Sequence, residues 1–322
     1  MKYLRLYTHD PYLNLAIEEY LLTHCEDDVF MLWQNEPSVV VGINQNIRAE
    51  VDTDALFRLG VKPVRRITGG GAVYHDLGNI NYSFIARSGG GIDFATFSAP
   101  IIDALGALGV PLTLSGRNDL CLSDGRKVSG NAQCKRGDRV LHHGTLLFDT
   151  DLSALGGLLT PSPEKLVTKA IKSTVSRVAN LKELLPDISS ADELISEIEK
   201  YVLEKLGAVE TAPPADEEID NIKARNSSEE WLYPSRGISS SVTVTKSKRY
   251  PFGSVTAEIS LSGERVSALH VSGDFFGEGD ISELTGALVG RKLAELADAL
   301  GEIEIERYIY GMTRDELTEL LS

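Results

Sequence analysis

Cysteine is scarce in this chain. Its three residues, Cys25, Cys121 and Cys134, are odd in number and show no CxxC spacing, which excludes a disulfide scaffold and a cysteine zinc site and fits a reducing cytoplasm. Long apolar runs are also missing: the longest, from Phe94 to Leu114, is broken by Pro100, Asp103, Pro111 and several glycines, and the opening MKYLRLYTHD has no apolar signal core. No membrane span is expected. Basic charge is short as well, with 32 Lys and Arg against 47 Asp and Glu, and a formal charge of −15 argues against a general nucleic-acid binder. What is present is ordinary globular material, 42% hydrophobic and 25% charged over 322 residues, enough for one large domain or a large one plus a small one.

The charge is uneven. Residues 125–182 carry ten Lys and Arg against four Asp and Glu, whereas residues 183–230 carry fourteen acidic residues against four basic ones. A basic middle in an acidic protein points to a small anionic ligand, and a solvated basic face accounts for it equally well.

Leu13, Ala16, Ile17, Tyr20 and Leu21 recur at helical spacing behind Asn14, and VFMLWQ and SVVVGINQ read as a hairpin around Glu36-Pro37. DTDALFRLG is a short helix closed by Gly60. The glycines of Thr68-Gly69-Gly70-Gly71 join strands. SAPIIDALGALG is a helix, LTLSGRNDLCL one strand meeting the turn Ser123-Asp124-Gly125, RKVSGNAQ its returning arm and LHHGTLLFD a buried strand. A basic loop follows, from Thr160 to about Arg177. Ser190 and Glu193 form a capping box ahead of an amphipathic helix ended by Gly207, and TAPPADEEID is an acidic surface loop. After Pro234 come three strand-like runs, SVTVTK, SVTAEISL and RVSALHVSG, then helical patterns, so the expected division is a domain over 1–237 and a small α+β domain over 238–322.

Two segments carry chemistry. In Arg65-Arg66-Ile67-Thr68-Gly69-Gly70-Gly71-Ala72-Val73-Tyr74-His75-Asp76 the glycines let backbone N–H groups approach an anion while Arg66 offers a bidentate guanidinium, although a tight strand connection explains the run as well. It is neither a Walker loop nor a dinucleotide fingerprint. In Gly125-Arg126-Lys127-Val128-Ser129-Gly130-Asn131-Ala132 a lysine held just after a turn is suited to bridging a carboxylate and a phosphate, with an exposed strand-end lysine as the plain alternative. His142 and His143 are strand neighbours pointing to opposite faces and cannot chelate one ion together. No GxSxG elbow occurs, and no cysteine is marked as a nucleophile.

Taken together, RRITGGGAVYHDLGNINYSF, GRNDLCLSDGRKVSGNAQ, HHGTLLFD and KAIKSTVSRVANLKELLP resemble the bacterial lipoate-protein ligases, a likeness that runs from LNLAIEE through Pro186 and continues more weakly from Trp231 to the end. The resemblance implies an α/β (α+β) catalytic domain shared with biotin protein ligases and related to class II synthetase cores, plus a small C-terminal accessory domain. It implies that ATP, with Mg²⁺, activates lipoate to lipoyl-AMP, and that the lipoyl group then passes to a lysine of an apo lipoyl-domain acceptor, such as a 2-oxoacid dehydrogenase E2 subunit or the glycine cleavage H protein. By motif, Lys127 is the catalytic lysine at the lipoyl carboxyl and α-phosphate. Arg66, Gly70, Gly71, Ala72, Val73, Tyr74 and His75 line the nucleotide and lipoate site, Asn118 and Asp119 contact nucleotide or Mg²⁺, and Lys165, Lys169 and Lys172 close over the adenylate. An apolar channel drawn from Trp33, Val41 or Val73 takes the acyl chain. The rival within the same fold is an octanoyl- or lipoyl-transferase that works through a cysteine thioester without ATP.

Overall fold

The computed structural model describes residues 1–158, 177–234 and 243–322. Its strands are β1 (Lys2–Arg5), β2 (Val29–Trp33), β3 (Ser38–Val41), β4 (Lys62–Arg65), β5 (Val73–His75), β6 (Asn79–Arg87), β7 (Thr113–Ser115), β8 (Asp119–Cys121), β9 (Lys127–Arg136), β10 (Arg139–Leu147), β11 (Val209–Glu210), β12 (Thr243–Tyr250), β13 (Gly253–Ser262) and β14 (Arg265–Gly273). Eight of them build the main sheet in the order β11-β1-β2-β6-β10-β9-β8-β7.

The main sheet is covered on both faces, so its central strands are apolar at successive positions rather than alternate ones. Phe30 and Leu32 of β2 enter one core, with Tyr82, Ile101, Ile195 and Ile198. Met31 and Trp33, one residue on, enter the other with Leu15, Ile17 and Leu141. The first core is closed by the helices Phe94–Ala107 and Ala191–Lys205, the second by the helix Pro11–His24. Asp10 caps that last helix by accepting the Tyr12 N–H at 3.1 Å, with Pro11 in its first turn.

A second sheet, β4-β3-β5, carries the glycine run: β3 pairs parallel with β4 and antiparallel with β5, so residues 66–72 must turn the chain back across β3. Residues 243–322 form a three-stranded sheet, β12-β13-β14, packed against the helices Ile281–Leu288, Leu296–Leu300 and Arg314–Leu321 around a separate core of Val255, Ile259, Leu284, Leu288 and Leu317.

Three expectations are corrected. β2 and β3 form no hairpin: they belong to different sheets, because β2 is buried between β1 and β6 while β3 pairs with β4 and β5. LTLSGRNDLCL is two strands, folded back on each other as β7 and β8 through Gly116, whose φ is +59°. The acidic stretch 211–220 is only half loop, since the helix Glu217–Asn226 begins inside it and packs on the helix Pro11–His24, tied there by Arg225 to Glu19 at 2.8 Å. The Ser190 cap holds, its hydroxyl accepting the Glu193 N–H, but Glu193 itself accepts from Ser189.

Candidate active site

Pairing lines up Trp33 on β2, Asn81 on β6 and Thr145 on β10, and the Thr145 hydroxyl accepts the N–H of Gly130 on β9 at 3.2 Å. These four residues floor a cavity of about 420 Å³. Three inter-strand steps make the floor about 14 Å long. Leu15, Val40, Val73 and His75 wall its Trp33 end, and Lys127, Asn118, Asp119 and Arg117 stand at the other. One end is thus mainly apolar and the other polar, as an acyl chain carrying a carboxylate would require.

Lys127 opens β9, and its backbone is tied by two hydrogen bonds to a distant segment, Lys127 N–H to Arg177 O at 2.7 Å and Ala179 N–H to Lys127 O at 2.9 Å. Its side chain lies over Gly130, where a Cβ would come within 2.7 Å of Nζ. The ammonium meets the Asp119 carboxylate at 2.8 Å, both groups partly exposed. Asn118 accepts from the backbone and side-chain amides of Asn131 through its carbonyl. Behind Asn131 lies His142, held neutral because burial pushes its pKa down to about 3, with His143 adding to the effect.

The two arginines of the glycine motif are buried and committed. Arg65 donates to the carbonyls of Gly42, Ile43, Gln45, Trp231 and Leu232. Arg66 donates from Nη1 to Val40 O, from Nη2 to Gly69 O and Gly71 O, and from Nε to Thr68 Oγ1. Four of its five N–H groups are spent, so Arg66 holds the loop in shape, and the bidentate grip read from the sequence is unavailable in this conformation. Gly70 sits at φ +91°, and a Cβ at Gly69 would fall 2.4 Å from Phe275 O, so both positions need glycine.

Below the loop runs a chain of hydrogen bonds: Trp33 Nε1 to Ser83 Oγ, Ser83 to Glu18 Oε1 at 2.6 Å, Glu18 to His143 Nδ1 at 3.0 Å, and His143 Nε2 to Thr68 Oγ1 at 2.8 Å. A Glu18 carboxylate can only accept, so His143 Nδ1–H donates to it, while Nε2 shares a hydrogen bond with the Thr68 hydroxyl, which also accepts from Arg66. The buried carboxylate of Glu18 is therefore satisfied twice. His75 takes the Asn35 amide on Nδ1, and burial, then Arg66 and His143, lower its pKa to about 3.

Of the residues read from the sequence, Arg66, Gly70, Gly71, Ala72, Val73, His75, Asn118, Asp119 and Lys127 border this one cavity. Tyr74 is turned away: alternation along β5 puts it against Val39, Val41 and Leu56. Trp33 and Val73 line the apolar end while Val40 takes the place expected of Val41. Lys165, Lys169 and Lys172 lie outside the described residues. Sequence reasoning missed Glu18, whose signal was a carboxylate inside the apolar stripe of LNLAIEE, and Arg117, Arg249 and Asp274, of which the last two come from the C-terminal unit and left no local signal. No cysteine borders the cavity; Cys134 is buried with its thiol pushed up to about 12, and burial raises Cys121 too. Among the described residues no three His, Cys, Asp or Glu side chains gather as a metal site.

Two family models match: the lipoyl protein ligase A/B catalytic domain over residues 10–203 and the bacterial lipoate protein ligase C-terminus over residues 239–321. The lipoate-protein ligase LplJ of Bacillus subtilis (strain 168) is 37% identical over 97% of this chain and 97% of its own. In fold, the chain is similar to P. falciparum LipL1 in complex with lipoate, with a TM-score of 0.81 and 23% identity over 99% of this chain and 98% of that one. It is also similar to lipoate-protein ligase A bound with ATP, with a TM-score of 0.61 and 26% identity over 72% of this chain and 98% of that one. On these matches along its whole length, the chain belongs to the lipoate-protein ligase family, with both the catalytic domain and the C-terminal domain of the bacterial members.

Proposed function

We propose that this protein is a cytoplasmic lipoate-protein ligase in which Lys127 is the catalytic residue. It activates lipoate with ATP and passes the lipoyl group to a lysine of an apo lipoyl-domain acceptor, an E2 subunit or H protein. The observation that supports this most is the position of the Lys127 ammonium at the polar end of a floor whose far end is Trp33. With the acyl chain laid along the floor, the lipoate carboxylate reaches Lys127. A carboxylate oxygen then attacks the α-phosphorus, the bond to the β-phosphate oxygen breaks, and pyrophosphate leaves. A carboxylate is a weak nucleophile, so charge neutralisation and alignment matter more here than a base. Lys127 supplies the charge by exchanging Asp119 for ligand oxygens. The Gly71–Val73 backbone, shaped by Arg66, lies beside the acyl-phosphate, and His75 borders the acyl chain. In the second step the acceptor lysine attacks the acyl carbon as a free amine, AMP leaves, and one proton is released.

The residues fit a Mg²⁺ carried largely by phosphates and water, with Asp119 and Asp274 as the available carboxylates, and its part is to neutralise phosphate charge. Residues 1–237 form the catalytic domain in this reading and 238–322 the accessory one. Incubation with lipoate, labelled ATP and an apo lipoyl domain should release pyrophosphate only when lipoate is present and then yield AMP and lipoylated domain. Transfer that proceeds without ATP would overturn the proposal.

The thioester rival is disfavoured by the cysteines, none of which reaches the cavity. The triple variant Cys25→Ser, Cys121→Ser, Cys134→Ser should therefore keep ATP-dependent lipoylation, with some loss of thermal stability from hydroxyls placed in apolar sites. Acyl transfer lost in a variant shown to be folded would refute this.

A further inference from the structure

The polar end of the cavity contains more cationic side chains than the adenylation step has so far used. Arg66 has one N–H left, and Lys127 is aimed at the reacting α-phosphate. A triphosphate brings far more negative charge than one ammonium answers, and a chain of net charge −15 offers no general attraction to it. Two further guanidinium groups border the same space. Arg117 stands in the turn between β7 and β8. Its Cζ lies over the Phe276 ring, 4.4 Å from the centroid, and Nη2 donates to Asp274 O at 3.2 Å, while Nη1 is buried with no partner. Arg249 comes from β12 in the C-terminal unit. Its side chain is 60% exposed, Nη1 donates to Ser254 Oγ at 2.9 Å, and the Asp274 carboxylate is 3.7 Å away, a loose pair that contributes little to stability.

We propose that Arg117 and Arg249 together hold the β- and γ-phosphates of ATP, so that the leaving pyrophosphate is gripped by one arginine from each unit. The inference rests on the ligase reading above. The unmade hydrogen bond of Arg117 Nη1 is the kind of buried debt that a phosphate oxygen settles, and paired guanidinium forks suit phosphate better than ammonium groups do. Asp274 is the counter-charge of the ligand-free state: its Oδ1 is held by the Ser254 N–H, and its backbone carbonyl holds Arg117. The two half-reactions then differ in what they ask of the C-terminal unit. Adenylation needs Arg249 at the cavity, whereas the transfer step contains no pyrophosphate and asks nothing of it.

The test uses the full-length protein and the exposed residue, whose truncation leaves the core untouched. Arg249→Ala should raise KM for ATP about ten- to hundredfold, and KM for pyrophosphate by the same factor in the reverse reaction that makes ATP from lipoyl-AMP. KM for lipoate and the rate of transfer from supplied lipoyl-AMP should stay at the parent values, and Arg249→Lys should fall between parent and alanine variant. Arg117→Ala should show the same pattern with added loss of thermal stability from the vacated Phe276 ring. Unchanged constants for ATP and pyrophosphate in Arg249→Ala, or an equal loss of transfer from lipoyl-AMP, would overturn the inference while the ligase reading stands. A parent protein that releases no pyrophosphate with lipoate would overturn both.

Discussion

At the scale of the residue, Lys127 offers the cleanest separation of stability from chemistry. Its ion pair with Asp119 is partly exposed, so Lys127→Ala should cost no more than about 1 kcal/mol of stability. The lost ammonium should slow lipoate-dependent pyrophosphate release by about 10²- to 10³-fold, the usual loss for one aligned charge-stabilising donor. Lys127→Arg should also fail, because a planar fork cannot sit over Gly130 where a compact ammonium does. Pyrophosphate release at the parent rate by either variant would remove Lys127 from the mechanism. The buried histidines make a second prediction, about pH. His75 and His142 are held neutral in the fold with pKa near 3, against an unfolded value of 6.5. Between those values the unfolded chain binds protons that the native state refuses, so stability is lost as pH falls below 6.5, by about 1.4 kcal/mol per pH unit for each histidine. Denaturant unfolding at pH 7, 6 and 5 should show His142→Gln losing about 2 kcal/mol less than the parent by pH 5. Parallel slopes would contradict the assignment.

At the scale of the element, the glycine loop and the start of β9 invite paired substitutions that the geometry sets apart. A Cβ at Gly69 meets the Phe275 backbone carbonyl, which cannot swing aside, so Gly69→Ala should cost about 1–3 kcal/mol and loosen the C-terminal unit. A Cβ at Gly130 meets the mobile end of Lys127, so Gly130→Ala should fold normally and still lose adenylation by displacing the ammonium. Melting curves read beside pyrophosphate release decide it, and equal melting temperatures for the two variants would sink the distinction. These elements also show where sequence reading succeeds. β9 and β10 were legible because a tight turn and a sustained apolar pattern are local. The opposed directions of His142 and His143 followed from strand alternation alone, with His142 near Phe97 and His143 at the cavity. The assignment of β2 and β3 to separate sheets was not legible, since partner choice depends on burial by distant strands. Nor was the fate of Arg66, whose donors are taken by carbonyls brought near only by the fold.

At the scale of the whole molecule, the C-terminal unit has its own core yet places Gly273–Phe276 against the glycine loop: Gly70 N–H donates to Phe275 O, and Gly273 N–H to Asn44 O. Arg225, through its bond to Glu19, holds the helix Glu217–Asn226 on the larger unit. Adenylation favours a site closed to water, and transfer needs room for an acceptor protein. A chain ending at residue 236 should therefore lose most of the lipoate-plus-ATP step and still lipoylate an apo lipoyl domain from supplied lipoyl-AMP. A truncated chain that activates lipoate normally but cannot use lipoyl-AMP would make the C-terminal unit an acceptor-docking module instead.

The tie between Lys127 and the Arg177–Ala179 segment bears on how the protein is made. A nascent chain can pair β9 with β10 as soon as residue 147 has left the ribosome, since that hairpin is local. It cannot anchor the Lys127 backbone until Ala179 has followed. While residues 148–179 are being made, the β9–β10 hairpin can form with Lys127 still lacking both of these backbone bonds, so the last step in seating that lysine waits on chain that lies beyond the hairpin carrying it.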